Sequence, residues 1–204
     1  MQEWKILGKT LEYDDETHTY IYEGIVLPSV TQIMKLKFGG KYDNVKAGIV
    51  RKAAKKGTMI HQAIEKLCQE GEVEDFKEVR NFRFLQKHYG FKVIDNEIPI
   101  VLFKDDVAVA AGKIDLVLDI DDEIYLSDIK RTAVLDKEYL AYQLNLYRIG
   151  YQQCYGQKVV GLRGMHLRDD KRKFIPIPIN EEKAWELVEE YMRSENEEEG
   201  QLLQ

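Results

Sequence analysis

Two aspartates and a lysine are spaced so that one β-hairpin would aim them at a single point. In residues 112–131, GKIDLVLDIDDEIYLSDIKR, Ile114, Leu116, Leu118 and Ile120 alternate with Asp115, Val117 and Asp119. That is a period of two with both faces largely apolar, as in a buried strand. A second arm covers 123–130. With Asp121-Asp122 as a two-residue turn, Ile120 pairs with Glu123, and counting outward puts Asp115 opposite Asp128 on one face. Facing Cβ atoms lie roughly 4.5 to 5.5 Å apart. Two carboxylates that close repel unless a cation sits between them, and a divalent ion with hard oxygen ligands is the usual answer. Lys130 shares the face of Asp128, while Ile129 points into the core and leaves its carbonyl near the same ion. A surface hairpin with solvated charges is the competing reading, which the apolar strand opposes. A slip of one residue would put the two aspartates on opposite faces.

The elements around this hairpin follow from pattern. Residues 11–27 alternate polar and apolar about Thr19-Tyr20-Ile21-Tyr22, with Glu23-Gly24 as a turn, so a short hairpin is expected. A helix then opens with Ser29 or Thr31 as its cap and Ile33, Met34 and Leu36 on its apolar side. Phe38-Gly39-Gly40 breaks the chain before a basic helix, which Gly57 ends, and Thr58 caps a second helix with Ile60, Ile64, Leu67 and Cys68 as its buried stripe. His61 falls at the edge of that stripe, where a residue can face a cleft, with Glu65 a turn further on. An amphipathic helix is expected over 72–90. A hairpin turning at Lys104-Asp105-Asp106 would put Glu97 opposite Lys113, on the face of Asp115. After Lys130, a linker leads to a helix ending near Tyr155 with Leu140, Gln143, Leu144, Tyr147 and Tyr151 on its inner face. Gln143 is polar in an apolar stripe and needs a partner, which backbone groups could supply. A last hairpin over 158–179 turns at Asp169-Asp170, its Pro176 and Pro178 suiting an edge strand, before a helix over 181–193 and a frayed tail over 194–204.

Gly-x-x-Asp (Gly112, Asp115) followed by Asp-x-Lys (Asp128, Lys130) resembles the core motif of the PD-(D/E)XK nuclease superfamily. Gly-Thr-x-x-His (Gly57, Thr58, His61) upstream and Gln-x-x-x-Tyr (Gln143, Tyr147) downstream are similar to the flanking motifs of its RecB-like branch. His18-x-Tyr20, Gly24 and Pro28-Ser29-Val30-Thr31-Gln32-Ile33 look like the N-terminal segment of phage-type members, although His18 alone reads as structural. The resemblance implies one α/β domain over 1–204, with a restriction-endonuclease-like mixed central sheet flanked by helices and residues 1–40 as its N-terminal hairpin and helix. It implies hydrolysis of DNA phosphodiester bonds, as in a phage-type exonuclease of recombination or repair. His61, Asp115, Asp128 and the Ile129 carbonyl would hold Mg²⁺ or Mn²⁺, with Glu97 assisting directly or through water. Such an ion neutralises phosphate charge and makes a water more acidic. Lys130 would orient or help deprotonate that water, and Gln143 and Tyr147 would position the phosphate or the lysine. A catalytically inactive DNA-binding relative and an RNA phosphodiesterase are the alternatives. The CRISPR-associated iron–sulfur nucleases share the motif order but need four cysteines, whereas this chain has Cys68 and Cys154, read as buried thiols.

Composition sets the remaining bounds. The chain has 204 residues, 44% of them hydrophobic, enough for one sizeable core. It has no run of 18 apolar residues and no signal-type hydrophobic segment at its start, which leads to the expectation of a cytoplasmic protein without a membrane partner. The net charge of −6 argues against nucleic acid until it is divided. Residues 181–204 hold 9 acidic and 2 basic side chains, so 1–180 carries 30 − 2 = 28 basic against 36 − 9 = 27 acidic. Within that neutral body, 35–56 holds Lys35, Lys37, Lys41, Lys46, Arg51, Lys52, Lys55 and Lys56 against Asp43 alone. Such a run is either a solvated helix face or a phosphate-binding patch. On the second reading Lys52, Lys55, Lys56 and Arg131 would hold the DNA backbone without reading sequence. A phage recombination protein is a candidate partner.

Overall fold

The computed structural model describes residues 1–40, 46–169 and 171–202. Its centre is a five-stranded mixed sheet of β5 (Lys92–Lys104), β6 (Val107–Ile120), β7 (Glu123–Lys130), β8 (Val159–Arg168) and β9 (Lys171–Ile177), side by side in that order. Neighbours are antiparallel except β7 and β8. A parallel pair needs a crossover, and α4 (Lys137–Tyr155) supplies it, with the Asp136 carboxylate capping its first turn by accepting from the Tyr139 amide. On one face α1 (Val30–Phe38), α4 and α5 (Glu181–Leu202) bury Ile33, Leu144 and Leu187 against Val117, Leu126 and Leu162. On the other, α2 (Ala47–Glu70) and α3 (Lys77–Tyr89) bury Ile60, Ile64 and Phe82 against Leu116, Ile129 and Met165. Each such side chain contributes roughly 1.5–3 kcal/mol. The expected mixed sheet with helices on both faces is therefore present.

The β6–β7 hairpin turns at Asp121 and Asp122, both at positive φ (55° and 63°), and Ile120 pairs with Glu123 as expected. Two positive φ values match the right-handed strand twist, which lets Asp-Asp serve where Asn-Gly is commoner. Pairing runs to Leu116↔Ser127. One step beyond it, the Ile129 amide donates to the Asp115 carboxylate at 2.7 Å.

Elsewhere the expectations need correction. The β5–β6 turn is two residues, Asp105 and Asp106, not three. With Val109 as an extra residue of β6 between the pairs Leu102↔Ala110 and Phe103↔Ala108, this places Glu97 between the pairs Asn96↔Leu116 and Ile98↔Ile114, across from Asp115 rather than Lys113, which pairs with Pro99. Gly57 ends no helix: α2 continues through it, and the Thr58 hydroxyl donates to the Ala54 carbonyl inside the helix at 3.2 Å. A single glycine costs a helix interior about 0.5–1 kcal/mol, too little to break one whose later turns are buried. The third helix begins at Lys77, five residues after its expected start, and α5 runs nine residues past Arg193 to Leu202. Strand β9 is the sheet edge and ends at Ile177, before Pro178. Lys41, Asp43 and Asp170 lie outside the described residues.

The N-terminal hairpin is half of a larger unit. β1 (Gln2–Ile6), β2 (Lys9–Asp14), β3 (Thr19–Tyr22) and β4 (Ile25–Leu27) form a separate four-stranded antiparallel sheet. Its Ile6, Leu11, Tyr20 and Leu27 pack on Val101 and Ala111 of the central sheet. Ser29 then caps α1 in a reciprocal box with Gln32, and Ala111 donates its amide to the Pro28 carbonyl at 3.0 Å. That bond joins the N-terminal segment to β6 next to Gly112.

Candidate active site

A cleft of about 1480 Å³ opens between the N-terminal sheet, α2 and the ends of β5, β6 and β7. Tyr13 and Tyr20 line one side, Ala54 and His61 another, with Asp115 and Lys130 at the floor. Gly112 shapes that floor. A Cβ there would stand 2.9 Å from Cε1 of Tyr147 and 3.4 Å from Cγ2 of Val30, so only glycine lets α4 bring Tyr147 against β6.

Two linked groups of side chains occupy the floor. In the first, His61, Glu97 and Asp115 each offer a ligand atom, all within 4.8 Å of one another. His61 Nε2 lies 3.0 Å from the Ile129 carbonyl, and Nδ1 lies 3.6 Å from Asp115 Oδ2. A carbonyl can only accept, so Nε2 carries the proton, and in the neutral ring the Nδ1 lone pair faces the carboxylates. Glu97 sits at φ +51°, a backbone state that costs a non-glycine residue of order 1–3 kcal/mol and that turns its side chain to this cluster. Its carboxylate pairs with Lys113 at 3.2 Å, and Lys113 in turn lies over the Tyr13 ring.

The second group is a chain of polar contacts across to α4. Asp128, 2% exposed, places Oδ2 2.7 Å from the Lys130 ammonium, although that oxygen accepts no hydrogen bond of ordinary geometry. Lys130 donates to Gln143 Oε1 at 3.0 Å, Gln143 Nε2 donates to the Tyr147 hydroxyl at 3.3 Å, and the Lys130 ammonium lies over the Tyr139 ring. Gln143 thus finds its partners in side chains rather than in backbone.

The electrostatics follow from burial and crowding. Burial pushes the Asp115 carboxyl up to about 7; His61 and Lys130 pull it back, and Asp128 and Glu97 push it further. A carboxyl so perturbed is short of positive charge, which the donor set of the first group suits. For Lys130, burial favours the neutral amine, but Asp128 and Asp115 outweigh it and the pKa rises. Lys130 is therefore a cation at neutral pH. Burial, with Asp128 adding to it, holds the Tyr147 hydroxyl well above its ordinary pKa, so it stays neutral.

The structure thus assembles His61, Glu97 and Asp115 in one group and Asp128, Lys130, Gln143 and Tyr147 in another. Among the described residues, Asp128 does not join the His61–Glu97–Asp115 group, and the Ile129 carbonyl lies against His61. The residues expected to hold DNA fare differently. At about 100° per residue, the face of α2 with Val50, Ala54, Gly57 and His61 lines the cleft, and Lys52, Lys55 and Lys56 fall on its far side. Lys56 lies over the Phe76 ring. Arg131 reaches the cleft rim, but its guanidinium pairs with buried Glu78 at 2.6 Å. His18 lines the cleft, its Nδ1 2.7 Å from the Tyr13 hydroxyl. Tyr139 went unnoticed in the sequence because a lone tyrosine carries no spacing signal.

No family model and no curated protein matches the chain. Among solved structures, SSO0001 is similar at 12% identity over 81% of this chain and 74% of that one, with a TM-score of 0.47.

Proposed function

We propose that this protein is a divalent-metal-dependent nuclease that hydrolyses DNA phosphodiester bonds, built on a restriction-endonuclease-like core. The observation that carries the reading is the placement of the Asp128–Lys130–Gln143–Tyr147 chain beside the His61–Glu97–Asp115 donor group at the floor of one cleft. The donor chemistry, two carboxylates and an imidazole, fits Mg²⁺ or Mn²⁺. Such an ion would neutralise phosphate charge and ease deprotonation of water.

The chain's own residues do the rest. Lys130, charged and aimed by Asp128 and Gln143, stabilises negative charge developing on the phosphate. As an ammonium it orients an attacking water rather than taking its proton. Gln143 fixes the Lys130 rotamer, and Tyr147 fixes Gln143, so α4 acts through the lysine. Asp115, easily protonated without added charge, is the group most sensitive to the ion.

The test is incubation of end-labelled linear and covalently closed circular DNA with Mg²⁺ or Mn²⁺, beside the Lys130→Ala variant. Metal-dependent cleavage that falls on the order of 10²- to 10³-fold in the variant is expected. Degradation of the linear substrate alone would identify an exonuclease. Cleavage undiminished in a folded Lys130→Ala protein would remove the lysine from the chemistry, and loss of neither substrate under any metal would end the nuclease reading.

A further inference from the structure

We propose that the solvent face of α3, together with the neighbouring edge strand β9, is the track on which the phosphate backbone of duplex DNA lies as it leaves the cleft. The proposal rests on the nuclease reading above and names where that substrate runs. Arg80, Arg83, Phe84 and Lys87 stand at i, i+3, i+4 and i+7 and are all exposed, opposite the buried stripe of Val79, Phe82 and Leu85. From residue 79 to residue 94 the chain carries no carboxylate. Arg80 pairs with Asp75, but Arg83, Lys87 and Arg172 have no ion pair among the described residues.

An aromatic ring here holds one of the cations, Arg172, in place. Arg172 Cζ lies 3.7 Å over the Phe84 ring, and His88 stacks on the same ring at 5.6 Å. Tyr89 packs against Phe174 and His88. With its rings engaged in this way, the surface offers fixed positive charge rather than platforms for unpaired bases. That suits a closed duplex read through its phosphates more than a single strand.

The track meets the cleft. Arg131, next to Lys130, joins Glu78 of α3 and also Asp169 of the β8–β9 turn at 3.5 Å. Asn81 of α3 donates to the Asp169 carbonyl at 3.0 Å, and Lys171 donates to the Ala133 carbonyl at 2.6 Å. Ala133 and Arg168 line the cleft itself. The lysines of α2, in contrast, face away from it.

The experiment measures binding of the full-length protein to duplex and to single-stranded DNA across a salt series, in EDTA so that nothing is cut. The variants are Arg83→Gln/Lys87→Gln/Arg172→Gln and, as the control, Lys52→Gln/Lys55→Gln/Lys56→Gln. For the first variant, duplex affinity should fall at least tenfold at low salt, and the slope of log affinity against log salt should shrink by about 2 to 3, near 0.9 for each lost phosphate contact. With metal added, its KM should rise and its kcat should stay. The control should match the wild type throughout. An unchanged slope in the first variant, an equal loss in the control, or a larger loss for single strands than for duplex would overturn the track. If the wild type cleaves DNA and the first variant binds normally, only the track fails; if the wild type neither binds nor cleaves DNA, the nuclease reading fails first.

Discussion

Asp115 carries the strongest conflict between stability and function. Its carboxyl is pushed up to about 7 from an ordinary 3.8. The native state therefore binds more protons than the unfolded chain between those values, and stability is lost as pH rises from about 4 through 7. In EDTA, Asp115→Asn should lack this loss and be more stable than the wild type at pH 8, on the order of 1 to 3 kcal/mol. Thermal unfolding against pH reads it directly, and a wild type as stable at pH 8 as at pH 5 would sink the argument. Millimolar Mn²⁺ should reverse the order. The wild type would gain about 2.7 kcal/mol at a hundredfold excess over Kd, and the Asn variant far less. An equal gain in both would mean that Asp115 is no ligand. Lys130 has its pKa raised too, by Asp128 and Asp115, and therefore keeps its charge through neutrality, so an activity profile rising with pH near 7 would reflect Asp115 rather than lysine deprotonation.

At the scale of elements, two glycines separate structure from chemistry. Gly57 lies inside continuous α2 and a Cβ on it would meet nothing within 4 Å. Gly57→Ala should stabilise the fold by about 0.5–1 kcal/mol. Destabilisation instead would restore a helix break at that point. Gly112 is the reverse case. Gly112→Ala drives a methyl into Tyr147, and overpacking of this kind costs typically 1–3 kcal/mol. Because Tyr147 holds Gln143 and Gln143 holds Lys130, turnover should fall further than stability alone explains, measured as kcat at a temperature where the variant remains folded.

At the scale of the molecule, the N-terminal sheet is fastened to the central one, since Leu11, Tyr20 and Leu27 share a cluster with Val101 and Ala111. Leu11 is fully buried there, and Leu11→Ala should cost about 2–5 kcal/mol. The loss should appear as a lower midpoint of one cooperative transition. A separate early transition, leaving the main one in place, would show that the sheet unfolds by itself. The charge is divided along the sequence: acidic residues crowd 181–204, while α3 shows an exposed basic stripe. Among the described residues, no helix is long and apolar enough to cross a membrane.

The β6–β7 hairpin, a cap at Ser29 or Thr31, the helix after Lys130 with Gln143 facing inward and the edge position of β9 were all legible in sequence. They follow from local rules: a period of two or 3.6, a cap residue, a turn that tolerates positive φ. Tertiary contact decided the rest. Whether Gly57 breaks a helix depends on how much the following turns bury, which no local pattern records. Glu97 faces Asp115 because the turn is one residue shorter than expected and Val109 bulges from β6, and bulges answer to the packing of neighbouring strands. The lysines of α2 are a cationic run in sequence, but the cleft lies on the other side of that helix. The basic track of α3 and β9 joins residues some ninety positions apart, and only the sheet order, with β9 at its edge beside α3, brings Arg172 over Phe84.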